Sequence, residues 1–209
     1  MKVRNLIILV GIVASGVSFG ATGIWGAYVT VGGLKYKSSS TYGGLEATFD
    51  GANLGSFTVG SGPLYLSQAE TLTYQNNGHS TFQFALAYRV RLASSAQSTN
   101  PLDYAFISMG DGVAISGGDE KGEFSGATIN LLSGLTTAGI YAVDIIHKVE
   151  AWEGGTNFER LGNVNNPNPG STNWGSTDAF TANFTVVPEP SAAALGLIGS
   201  FALLLRRRM

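Results

Sequence analysis

The chain has 209 residues, 12% of them charged, with 29 glycines, six prolines and no cysteine. The missing cysteines exclude a disulfide framework and thiolate metal sites, and an apolar content of 44% is too high for a disordered tail. Residues 21–187 carry seven Lys/Arg against thirteen Asp/Glu, a net charge near −6, which argues against a nucleic-acid partner because backbone binding needs a cationic patch.

The chain opens with two cations, Lys2 and Arg4, followed by an apolar run from Leu6 to Val17. Ser18 and Gly20 fit the −3 and −1 places of a signal-peptidase site, with cleavage before Ala21; Ala14 and Gly16 offer a second site. The run is short for a membrane span. Residues 1–20 are therefore expected to form a helical signal peptide removed on export.

The body, residues 21–186, reads as strands. Ile24–Val31 and Leu54–Val59 are short candidates, separated from their neighbours by signals such as Gly32-Gly33. Thr71–Gln75 follows and ends at the turn signal Asn76-Asn77-Gly78. From Phe82 to Leu92, apolar residues at even positions alternate with Gln83, Ala85, Ala87, Arg89 and Arg91, the period-two pattern of a half-buried strand. Tyr104–Met109 and Ala127–Leu132 are further short candidates. Tyr141, Val143, Ile145, His147 and Val149 then mark one apolar face of a second long strand, with Ala142, Asp144, Ile146, Lys148 and Glu150 on the other. The Asn/Pro/Gly run of residues 163–177 is a loop before a last strand, Ala179–Val187. No segment of the body sustains a 3.6-residue apolar stripe, and strands with one apolar face must pair those faces. The expected fold is all-β: a single antiparallel, jelly-roll-like β-sandwich. A barrel is the alternative.

The last 23 residues have three parts: Val187-Pro188-Glu189-Pro190-Ser191, the apolar Ala192–Leu205, and Arg206-Arg207-Arg208. The apolar part covers roughly 21 Å as a helix at about 1.5 Å per residue, less than the ~30 Å hydrocarbon core of a bilayer. The arginines suit snorkelling to the cytoplasmic head groups. This tail, residues 187–209, resembles the PEP-CTERM sorting domain of bacterial cell-envelope proteins. The resemblance implies a transmembrane helix and processing by an exosortase-type membrane protease or transpeptidase near Pro188-Glu189-Pro190. It also implies transient residence in the inner membrane, and release or re-anchoring at the cell surface or in an exopolysaccharide matrix. Glu189 would then be a recognition residue. Residues 52–78 and 129–152 loosely resemble uncharacterised β-sandwich ectodomains of secreted bacterial proteins, which supports the fold and transfers no site residue.

Catalytic signals are sparse. Only two histidines occur. His79 sits in a turn, and His147, on an apolar strand face, suits a hydrogen-bonded core residue better than a base or ligand. No Gly-x-Ser-x-Gly elbow or P-loop is present, and no cofactor is expected. Asp111, Asp119, Glu120 and Glu123 cluster in a turn-rich stretch, and Glu150, Glu153 and Glu159 follow the long strand. The first group, through Asp111, Asp119 and Glu120, is the candidate for calcium, which takes oxygen ligands; a solvated acidic loop is the plainer reading. Trp152, at the end of the long strand, and Trp174, in a polar loop, are candidates for stacking a sugar ring, or else cap the core with the indole N–H in water. The leading expectation is a non-enzymatic envelope or matrix protein, exported through the inner membrane, cut by signal peptidase and sorted by its tail. A carbohydrate-binding module is the alternative, and a secreted glycoside hydrolase a third.

Overall fold

The computed structural model describes residues 23–38, 45–60, 62–74, 79–98, 100–115, 119–153, 157–161 and 179–189. The signal segment and the tail beyond Glu189 lie outside them. The described chain is nearly all β, arranged in two sheets. Its one helical element is a 3-10 turn at Pro101–Asp103. Among the described residues no helix is long and apolar enough to cross a membrane.

The first sheet contains β1 (Gly23–Val31), β2 (Leu34–Lys37), β3 (Ala47–Thr48), β5 (Tyr65–Tyr74), β8 (Val113–Ala114) and β9 (Glu120–Phe124), in the order β3-β2-β1-β5-β9-β8. A short β10 (Ile129–Asn130) also pairs with β5. The second sheet contains β4 (Asn53–Thr58), β6 (His79–Leu92), β7 (Ala105–Asp111), β11 (Gly139–Glu153) and β13 (Phe180–Val187), in the order β4-β13-β11-β6-β7. Its β12 (Asn157–Leu161) pairs with the end of β11.

The sheets pack face to face. Ala27, Val29, Val31, Leu66 and Phe124 of the first meet Leu86, Val143, Ile145, Phe180 and Phe184 of the second in one core cluster. Along β13 the alternation is strict: Phe180, Ala182, Phe184 and Val186 are buried and the residues between them are not. The Tyr141 and Phe184 rings stack at 5.6 Å, an offset that aromatic quadrupoles favour.

Every long strand expected from alternation is present. Thr71–Tyr74 of the expected Thr71–Gln75 proves to be the end of the longer β5, Gln75 lying outside the described residues, and Ala127–Leu132 shortens to the two residues of β10. The expectation of a purely antiparallel sandwich is corrected at two places: β13 pairs with β4, and β2 with β3, in parallel. The stretch around Glu120 and Glu123 is also strand rather than loop, because β9 pairs with both β5 and β8. The Gly32-Gly33 signal becomes a two-residue hairpin turn. Val31 pairs with Leu34, and φ is 59° at Gly32 and 81° at Gly33, the positive pair a type I′ turn demands.

β11 differs most from its one-faced reading. Residues 141–149 are all buried. The segment after β6, including the Pro101–Asp103 turn, lies over the outer face of the second sheet, where Tyr104 packs with Ala87, Ile146 and Ala179. That second cluster makes Ile146 and Asp144 interior residues.

At one end of the core the sheets approach closely. The Phe84 ring of β6 lies over the backbone of Gly122 in β9, where a Cβ would overlap it. Gly122→Ala is expected to lower stability by about 1–3 kcal/mol through overpacking. Gly62→Ala, whose added Cβ meets nothing within 4 Å, should stay within about 0.5 kcal/mol of the parent. Urea unfolding of the two variants checks the pair.

Candidate functional site on the outer face of the second sheet

Three strands build the site. β6 lies between β7 and β11, and their registers form three rows across the outer face. Ser108, Ala85 and Lys148 make the middle row. Phe106, Ala87 and Ile146 make the row on one side, and Asp111, Gln83 and Glu150 the row on the other. Alanine at the centre of the middle row, Ala85, leaves a trough between taller neighbours, while Ala87 in the next row is covered by Tyr104. The trough is a half-open groove of about 330 Å³ lined by Gln83, Ala85, Phe106, Ser108, Asp111 and Lys148 among others.

A β-bulge sets one rim. Ala85 is opposite Ser108, yet Phe84 is opposite Gly110, so Met109 is the extra residue. Met109 turns into the core, 6% exposed, and Gly110 takes a φ of 76°. Without the bulge Gly110 would face Gln83. With it, Asp111 does, which is how bulges re-aim side chains beside sites. On the opposite wall the Lys148 ammonium lies 3.8 Å from the centroid of the Phe106 ring, a cation–π distance. Phe106 keeps 51% of its surface exposed, while Lys148 is only 7% exposed.

Further along the same face lies a closed polar network. Arg91 grips Asp144 with two parallel bonds, Nε to Oδ2 at 2.6 Å and Nη2 to Oδ1 at 3.0 Å. Thr181 Oγ1 donates to Asp144 Oδ1 at 2.8 Å, and Gln97 Nε2 donates to Thr181 Oγ1 at 2.6 Å. Arg91 also donates to the Ser95 carbonyl. The hydrogen bond to Asp144 raises the Arg91 pKa. Burial raises that of Tyr104, with Asp144 adding to the effect. Asp144 is fully buried, so this carboxylate is committed to holding β6, β11, β13 and the covering segment together.

The other face of β11 carries His147 into the core, fully buried. Its Nε2 lies 2.8 Å from Ser38 Oγ and its Nδ1 2.9 Å from Thr71 Oγ1. Burial lowers its pKa to about 3, so the ring is neutral. A neutral imidazole has one N–H and one acceptor nitrogen, and the two hydroxyls satisfy both. Ser38 follows β2 and Thr71 is on β5, so the ring ties the two sheets. It is the core residue its strand position suggested and has no route to a substrate.

The calcium candidates lie at the ends of nearby strands, with the Glu120 carboxylate against Gly112, next to Asp111. Asp111 ends β7 and Glu120 begins β9, with Asp119 just before it; Ile115 N donates to the Asp119 carbonyl at 2.8 Å. Glu123 pairs with Lys121 at 2.7 Å and accepts from Gln68 at 3.0 Å, bonds that lower its pKa. Among the described residues no three His, Asp or Glu side chains are placed to hold a metal ion. Trp152 lies in β11 opposite Thr81 and Phe158, two register positions beyond Glu150. Its side chain, those of His79, Glu150, Glu153 and Glu159, and all of Trp174 lie outside the described residues. So do Ser18, Gly20, Ala21, Pro190, Ser191, Arg206, Arg207 and Arg208. Among the groove residues the sequence singles out only Asp111, as a calcium candidate; the signal available for the rest was the small Ala85 in a strand otherwise rich in large side chains.

The start of the tail is described. Val187 is the last residue of β13, paired with Thr58, and its carbonyl accepts from Val59 N at 2.9 Å. Pro188, with no N–H, cannot continue the ladder. Val187, Pro188 and Glu189 are all exposed.

Fold and groove together define a β-sandwich-like all-β protein with a polar and aromatic trough on the outer face of one sheet. No protein-family model matches the chain, and no curated protein matches it.

Proposed function

We propose that this chain is an exported, non-enzymatic envelope protein whose jelly-roll-like ectodomain acts at the cell surface or in exopolysaccharide, in a structural or adhesive role. Signal peptidase removes residues 1–20. The tail, with its apolar helix and Arg206–Arg208, holds the chain in the inner membrane until an exosortase-type enzyme acts near Pro188-Glu189-Pro190. The observation that carries this reading is the exit of the chain from the fold. The last strand is fixed to its neighbour up to Val187, and the Pro-Glu that follows is exposed and belongs to no helix or strand, open to a protease that binds its peptide as an added strand.

Intact mass and membrane fractionation of the native protein test it, beside a variant with Pro188, Glu189 and Pro190 replaced by alanine. The wild type should lose both its first twenty or so residues and its arginine tail, about 20 residues at each end by signal-peptide length, while the variant keeps its arginines in the membrane. A wild type that retains Arg206–Arg208 in the inner membrane defeats the sorting reading. A second reading, a carbohydrate-binding module, is favoured by the groove and its half-exposed Phe106.

A further inference from the structure

We infer that the trough over Ala85 is a subsite for one or two rings of a neutral saccharide. This deepens the carbohydrate-binding reading and is independent of the tail. The floor carries the methyl group of Ala85 beside the exposed part of the Phe106 ring. Such a surface matches the C–H face of a pyranose. The rim mixes roles. Lys148 only donates, the Asp111 carboxylate only accepts, and Ser108 and Gln83 do both. A sugar hydroxyl donates and accepts, so a polyol can meet all four. Among the described lining residues Lys148 is the one cation and Asp111 the one anion, so the described lining carries no cationic surplus to select a uronate or phosphate. The volume, about 330 Å³, is at the small end for ligand pockets. The groove is half-open, and along β6 it ends where Tyr104 covers Ala87.

Three features arise from separate causes and converge here: alanine at 85, the bulge at Met109 that turns Asp111 to the rim, and Phe106 left half-exposed on an outer strand. A sheet face that merely met solvent would not need the bulge to bring a carboxylate opposite Gln83.

The test uses the full-length chain in a detergent without a sugar head group, titrated with cellohexaose, maltohexaose and, as the anionic comparator, polygalacturonate. Calorimetry reads the affinity. One of the neutral oligomers should bind, and Phe106→Ala should weaken it by roughly tenfold, the worth of one aromatic contact. Ala85→Leu, which fills the trough without removing a polar group, should abolish binding while leaving the unfolding midpoint near that of the wild type. Trp152→Ala separates the inference from the broader reading. If Trp152→Ala abolishes binding and both trough variants bind like the parent, the protein binds sugar elsewhere and the subsite is wrong. If neither neutral oligomer binds, or polygalacturonate binds in preference, the inference is overturned outright.

Discussion

Asp144→Ala is expected to cost about 3–5 kcal/mol of stability, the range for breaking a buried ion pair by removing one partner. The loss comes less from the missing attraction than from what is left behind. The Arg91 side chain is 9% exposed and Asp144 is at 0%, so a stranded guanidinium finds little water, and Thr181 and Gln97 lose the acceptor at the centre of their network. Replacing both partners by apolar residues, Arg91→Met with Asp144→Leu, should recover most of the loss, because a buried pair and a well-packed apolar pair are often close in energy. Urea unfolding of the single and double variants gives the coupling. A single variant within about 0.5 kcal/mol of wild type, the range of an ordinary surface change, would show that Asp144 is hydrated.

Acid should destabilise the protein through His147. Its pKa is about 3 in the folded protein, lowered by burial, and near 6.5 in the unfolded chain. Between those values the unfolded chain holds one more proton, so stability falls as pH falls, by up to about 1.4 kcal/mol per unit. Above pH 6.5 the contribution is complete and flat; by pH 3 the loss is on the order of 4 kcal/mol. His147→Gln keeps one donor and one acceptor but does not titrate. It should be less stable than wild type at pH 7, because the hydroxyls of Ser38 and Thr71 lose their fitted partner, a penalty of about 1–3 kcal/mol for each one left unsatisfied. Its stability should also fall less steeply below pH 6. Unfolding midpoints measured from pH 7 to pH 4 compare the slopes, and parallel curves for the two proteins would rule out His147 as the acid-sensitive group.

The long strands were legible because burial on one face writes a period of two into the residues. That holds for β13, whose buried positions follow the alternation residue by residue, and for β6 apart from Ala87, which the covering segment buries, and Leu92, which is exposed. It failed for β11 in an informative way. Asp144, Ile146 and Lys148 read as the solvent side, and the covering segment after β6 makes that side interior. Nothing in the alternation of one strand reports what another segment lays over it. β9 was hidden for a related reason. Its sequence, Glu-Lys-Gly-Glu-Phe, reads as an acidic turn, and it becomes strand through pairing on both sides and through the Phe84 ring that only a glycine admits.

The sequence by itself determined the all-β class, the positions of the long strands, the Gly32-Gly33 turn, and His147 as a core residue. Each follows from the preferences of neighbouring residues along the chain. Only the tertiary structure decided the groove and the two buried networks. Phe106 meets Lys148, Arg91 meets Asp144, and His147 meets Ser38 and Thr71 across dozens of residues of chain. Strand register sets the first two meetings, with a single bulge aiming the groove's rim, and sheet packing sets the third. A shift of one residue in register would turn every side chain to the opposite face, and local composition does not encode that choice.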